Sequence, residues 1–149
     1  MKFEKFFKAV GTHGLIVKRS EVESWLVCGG IGMKIPDGVN NLGISQAPDA
    51  MFNAIIHSET SDDLLVLKEA VLHDPEGKAA DIIRVFESEL GDRVGIYNGA
   101  YGLLEKKDLL TYLEIEDDSQ EDEVKTSKYI VVLDHSKNIV GFINGSDQI

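Results

Sequence analysis

The chain has 149 residues, 43% hydrophobic and 28% charged, an ordinary globular composition whose length suits one domain burying roughly 70% of its unfolded surface. Its formal net charge of −11 argues against broad, nonspecific binding to nucleic acid, and no apolar run approaches the roughly 20 residues that span a bilayer. The single cysteine, Cys28, cannot close an internal disulfide, and Met1–Phe7 lacks the long apolar core of a secretion signal, so a cytoplasmic setting is expected.

In chain order, Phe3, Phe6, Phe7 and Val10 recur at helical spacing and predict a short amphipathic helix over 2–10, stopped near Gly11 and Gly14. Lys2, Lys5 and Lys8 repeat every three residues on another side of it. Strands are expected at Leu15–Arg19, Ser24–Cys28 and Ile31–Ile35, the last two joined by Gly29-Gly30, a recognised hairpin pair. Pro48 is expected to open a helix carrying Met51, Phe52, Ile55 and Ile56. Leu64–Leu72 reads as a strand, although periodicity alone does not separate it from a helix. Over Lys78–Leu90, the spacing of Ala79, Ile82, Ile83, Phe86 and Leu90 predicts a helix ending at Gly91.

From Arg93 to Ile143 the pattern predicts five antiparallel strands. Val94–Tyr97 would turn at Asn98-Gly99, a type I′ hairpin signal, and return through Ala100–Leu104. Leu109–Ile115 follows, and Tyr129–Leu133 pairs with Ile139–Ile143. The fold class is therefore α+β, mainly an antiparallel β meander with two or three short amphipathic helices packed on the sheet, in one domain over 1–149.

Seven acids and no base lie between Glu114 and Glu123. They predict an acidic surface loop at about 114–128, in which Glu116, Asp117, Asp118, Glu121, Asp122 and Glu123 are candidates for docking a partner. The EF-hand pattern is absent there. Cys28-Gly29-Gly30-Ile31-Gly32 matches neither a dinucleotide fingerprint nor a P-loop. His13, His57, His73 and His135 are scattered without metal-ligand spacing, and His57-Ser58-Glu59 lacks the nucleophile elbow of a hydrolase. No catalytic, cofactor-binding or metal residue is expected.

Helix plus three strands over 2–36, then strand, helix and three strands over 64–115, makes a layout that resembles one domain of a DNA sliding clamp. The run from Trp25 to Pro36 resembles the clamp strand–turn–strand in which a glycine-containing turn precedes a short apolar strand. That resemblance implies two basic helices facing DNA, carrying Lys2, Lys5 and Lys8 on one and Lys78 and Arg84 on the other, with sheets outside. Clamps assemble several such domains, whereas this chain has room for one, and its final hairpin and acidic loop have no counterpart in them. The sequence also looks like small phage-encoded proteins, a likeness that carries no activity. The expected function is that of a non-catalytic binding or accessory protein, acting on a protein partner or by self-association. The alternatives are a clamp-like accessory of DNA replication, and a virion component or acidic mimic of nucleic acid.

Overall fold

The computed structural model describes residues 1–37, 45–72, 82–117 and 125–146. The expected α+β class is what these residues form. They comprise helix α1 (Phe3–Val10), strands β1 (Leu15–Lys18), β2 (Ser24–Cys28), β3 (Ile31–Lys34) and β4 (Ser45–Gln46), and helix α2 (Ala50–Ile56). Strands β5 (Val66–Leu72), β6 (Ile82–Glu87) and β7 (Arg93–Tyr97) follow, then the helical turn α3 (Asn98–Tyr101) and strands β8 (Leu109–Asp117), β9 (Lys125–Leu133) and β10 (Ile139–Asn144). No described helix is long and apolar enough to cross a membrane.

The strands make two sheets. One has seven strands in the order β4-β1-β2-β3-β10-β9-β8, and the other has three, β5-β6-β7. All pairings are antiparallel except the short β1–β4 pair. Strand β9 explains the layering, because its residues Tyr129 to Leu133 are all buried. Successive side chains of a strand point to opposite faces. Tyr129, Val131 and Leu133 therefore join Trp25, Phe142 and the α2 residues Phe52, Ile55 and Ile56 on one face. Ile130 and Val132 join Leu110, Ile143 and the small-sheet residues Phe86, Val94 and Ile96 on the other. On that second face, over β2 and β3, Phe6 and Val10 of α1 cover Leu26 and Met33.

Aromatic contacts knit the first face: Trp25 meets Phe52 edge-on at 5.4 Å, and Phe142 lies 6.2 Å from Trp25, Phe52 and Tyr129. Gly32 sits opposite Phe142 across the β3–β10 pair, and a Cβ there would overlap the Phe142 ring. Met1 is tied in from the other side. Its ammonium donates to Asp108 Oδ1 at 2.9 Å, with the two side chains only 2% and 4% exposed. Asp108 Oδ2 also accepts the Glu105 amide at 2.8 Å.

Several expectations hold. The Gly29-Gly30 turn has positive φ at both residues, +61° and +80°, as a type I′ hairpin requires. The helix over 2–10, the three strands after it, and the Tyr129/Ile139 hairpin all form. Helix α2 also forms, although its start is capped by Asp49, whose Oδ1 accepts the Phe52 amide at 2.8 Å, rather than opened by Pro48.

Others are corrected. Ile82–Glu87 is the central strand of the small sheet and not a helix, and 73–81 lie outside the described residues. Ile82, Ile83, Val85 and Phe86 fit both periods, and pairing with two neighbours decides for the strand. Gly91, with φ of +93°, closes the β6–β7 turn instead of a helix. Asn98-Gly99 does not make a hairpin. It opens α3, because Arg84 Nε donates to Asn98 Oδ1 at 3.1 Å and Tyr101 packs on Phe86. Ala100–Leu104 is consequently no strand, and the five-strand meander is split, with β7 in one sheet and β8–β10 in the other. The second half of the expected repeat is three strands, a helical turn and a strand.

Truncating Phe142 to Ala should cost about 3–5 kcal/mol, because three aromatic neighbours lose their contact at once. Asp108→Ala should cost about 1–3 kcal/mol by removing the nearer carboxylate of the Met1 ammonium and the acceptor of the Glu105 amide, with Glu105 Oε1 still 3.9 Å from the ammonium. Urea denaturation of the two variants beside the parent measures both.

Candidate functional site

The basic residues do not converge as two helices. Lys2, Lys5 and Lys8 are exposed along α1, and Lys5 Nζ donates to the Gly102 carbonyl at 3.3 Å. Arg84 is on strand β6, not on a helix. Its guanidinium is held by Asn98 and lies 4.8 Å from the centre of the Tyr101 ring. Lys78 lies outside the described residues.

The acidic run is also differently built. Glu114, Glu116 and Asp117 belong to strand β8 and not to a loop, and β9 begins at Lys125, so the ends of the expected loop at 114–128 are a ladder. Glu114 stands opposite Lys128, and such an opposite-charge pair supports a two-stranded arm whose backbone register runs out to Asp117 and Lys125. Asp118, Glu121, Asp122 and Glu123 lie outside the described residues. Burial, and then the Glu114 carboxylate that accepts its hydroxyl at 3.1 Å, push Tyr112 up to about 12.

Among the described residues, no three His, Cys, Asp or Glu side chains come together as metal ligands. His13 follows α1, His57 caps α2 and His135 sits in the β9–β10 turn, while His73 is outside the described residues. Ser58 Oγ donates to the Ile55 carbonyl at 2.7 Å, which ties off α2 and leaves no triad with His57. Cys28 is half-buried against the α1 core, its sulfur 3.9 Å from the His13 carbonyl. Asp134 accepts the amides of Ser136 and Asn138, both at 2.9 Å, and these bonds hold its carboxyl below the usual range.

The residues that stand out are ones the sequence pattern passed over. All seven residues of β5 are exposed, including Val66 (54%), Leu67 (42%), Val71 (42%) and Leu72 (50%). Among the described residues this strand pairs only with β6, and none of them occupies its other edge. A bulge at Lys68 interrupts the ladder, and Glu69 is ion-paired with Arg93. Leu67 is also one wall of an open trough of about 600 Å³, shared with Phe86, Tyr101 and Leu110 and flanked by Lys2 and Lys106. The sequence did carry a signal: Leu64–Leu72 has apolar residues at both parities, which suits a strand covered on two sides. Compared with known proteins, the chain matches no family model, no curated protein and no solved structure.

Reversing Lys2, Lys5 and Lys8 to Glu leaves the buried Phe6 and Val10 in place. Three phosphate contacts would give a log–log salt slope of about −2.7, at roughly −0.9 per phosphate. The expected result by fluorescence anisotropy is no salt-sensitive complex of the parent with duplex DNA, and no change in the triple variant. A salt-sensitive complex that the variant fails to form would reinstate the clamp-like interface.

Proposed function

We propose that this chain is a non-catalytic accessory protein of the cytoplasm that works through protein contacts, and that strand β5 with the adjoining trough is the surface it uses. The observation that carries the reading is the exposure of four apolar side chains on one outer strand, Val66 and Val71 on one face and Leu67 and Leu72 on the other. Single exposed apolar residues are ordinary, whereas four on one outer strand, with Leu67 beside a concave surface, suit a partner. A segment laid along β5 gains main-chain hydrogen bonds at the edge that no described residue occupies and sends alternate side chains to either face, one of which opens on the trough. The bulge and the charged Lys68 and Glu69 disfavour indiscriminate edge pairing, which supports a specific partner over aggregation.

The test replaces Val66 and Val71 together with Glu. Both are exposed, so the stability cost should stay within about 1 kcal/mol. Cross-linking mass spectrometry on the tagged protein in its host should find a protein joined near β5 in the parent and lose it in the variant. Light scattering of the purified protein separates a foreign partner from self-association. Cross-links that cluster elsewhere and survive the double substitution would move the contact surface off β5.

A further inference from the structure

We propose that the partner of β5 is a second copy of this chain, whose own β5 lies antiparallel to it in one register. In that register Val66 of each copy stands opposite Val71 of the other, Leu67 opposite Ala70, and Lys68 opposite Glu69. The inference rests on the reading of β5 as the contact surface and names what covers it. All seven residues of β5 are exposed, and no described residue occupies the edge turned away from β6. Just before the strand, the Leu65 amide donates to the Leu110 carbonyl at 2.8 Å, so the pairing begins at Val66.

The bulge selects the register. When two copies of one strand pair antiparallel about a two-fold axis, opposed residues project on the same face of the shared sheet. In a regular strand, residues five apart project on opposite faces. Strand β5 departs from this, because Lys68 is an extra residue between Leu67, opposite Phe86, and Glu69, opposite Val85. The alternation shifts by one beyond it. Val66, opposite Glu87, and Val71, opposite Ile83, therefore share one face, while Leu67 and Ala70, opposite Phe86 and Arg84, share the other. From Val66 to Val71 the strand reads apolar, apolar, cation, anion, apolar, apolar, so its reverse sets apolar on apolar and makes two Lys68–Glu69 pairs. A shift of one residue either way opposes Lys68 to Lys68 or Glu69 to Glu69 and pairs side chains of different faces. Glu69 keeps its ion pair with Arg93 on the β6 side and meets Lys68 of the second copy on the other. The result is one six-stranded sheet across two copies. A contact of six residues a side is smaller than a permanent dimer's, so the association is reversible and depends on concentration.

Sedimentation equilibrium of the intact chain between about 1 and 500 µM, the range of a weak interface, reads the dimer directly. Lys68→Glu and Glu69→Lys should each raise the dissociation constant about tenfold or more, since each sets two like-charge pairs across the axis. The first makes the chain more acidic and the second less, so loss in both excludes a net-charge effect. The combined exchange, Lys68→Glu with Glu69→Lys, should return the dimer to within about threefold of the parent, because opposite charges face each other again. A circular-dichroism melt of each variant shows that it is folded. The proposal is overturned if the parent stays monomeric throughout, if neither single variant weakens the dimer, or if the exchange fails to restore it. A monomeric parent whose cross-links to another protein still map to β5 overturns the self-pairing and leaves β5 a contact surface. A dimer indifferent to all three charge variants, with cross-links away from β5, overturns both.

Discussion

The structure depends on one strand having no solvent face. Five consecutive residues of β9, Tyr129 to Leu133, are buried, and they feed two separate cores in alternation. A slip of one residue would hand Ile130 and Val132 to the aromatic face and Tyr129, Val131 and Leu133 to the small sheet. Neither core accepts the exchange, since Phe142 and Trp25 are spaced for the odd set and Phe86, Val94 and Ile96 for the even one. The register is pinned nearby. Asp134 and the left-handed Lys137 (φ 63°) close the turn to β10, and the buried Thr111 hydroxyl donates to the Val131 carbonyl.

From that strand outward, the two faces are covered by different means. Helix α2 covers the aromatic side with seven residues, too short to be stable alone, so it persists through Phe52, Ile55 and Ile56. The opposite side is shared by α1 and the small sheet, which meet through Leu103, Met1 and the α3 turn. A short helix cannot cover a seven-stranded sheet to its edge, and a hollow of about 90 Å³ is left between α2 and Leu15 and Val17 of β1. A three-stranded sheet likewise buries its middle strand and leaves an outer one, β5, with its apolar residues in contact with solvent.

The elements that were legible in the sequence are those whose neighbours in space are neighbours in the chain. The β2–β3 and β9–β10 hairpins announce themselves by Gly29-Gly30 and by two apolar runs around Asp134. The failures come from distant partners. Nothing local tells Asn98 that Arg84 will hold its side chain, so a strong hairpin dipeptide becomes a helical turn. Ile82–Glu87 has an apolar pattern that fits two periods, and only the flanking strands choose between them. The candidate sites were less legible still. Tyr129 reads from sequence as one more core aromatic, and only the fold sets it against Phe142 under α2. The exposure of β5 is equally invisible to composition, because an outer and an inner strand carry the same residues.

The seven-stranded sheet is two meanders joined along a single seam, where Gly141, Phe142 and Ile143 of β10 pair with Met33, Gly32 and Ile31 of β3. The residues on either side of that seam are more than a hundred positions apart in sequence. On a ribosome, β1, β2 and β3 emerge first, and the inner edge of β3 then waits without its neighbour while the whole small sheet is synthesised. Contacts of such long range slow folding, and a strand awaiting its mate is open to pairing with another nascent chain. Production of this protein should therefore depend on temperature and on chaperone supply more steeply than its folded stability alone would suggest.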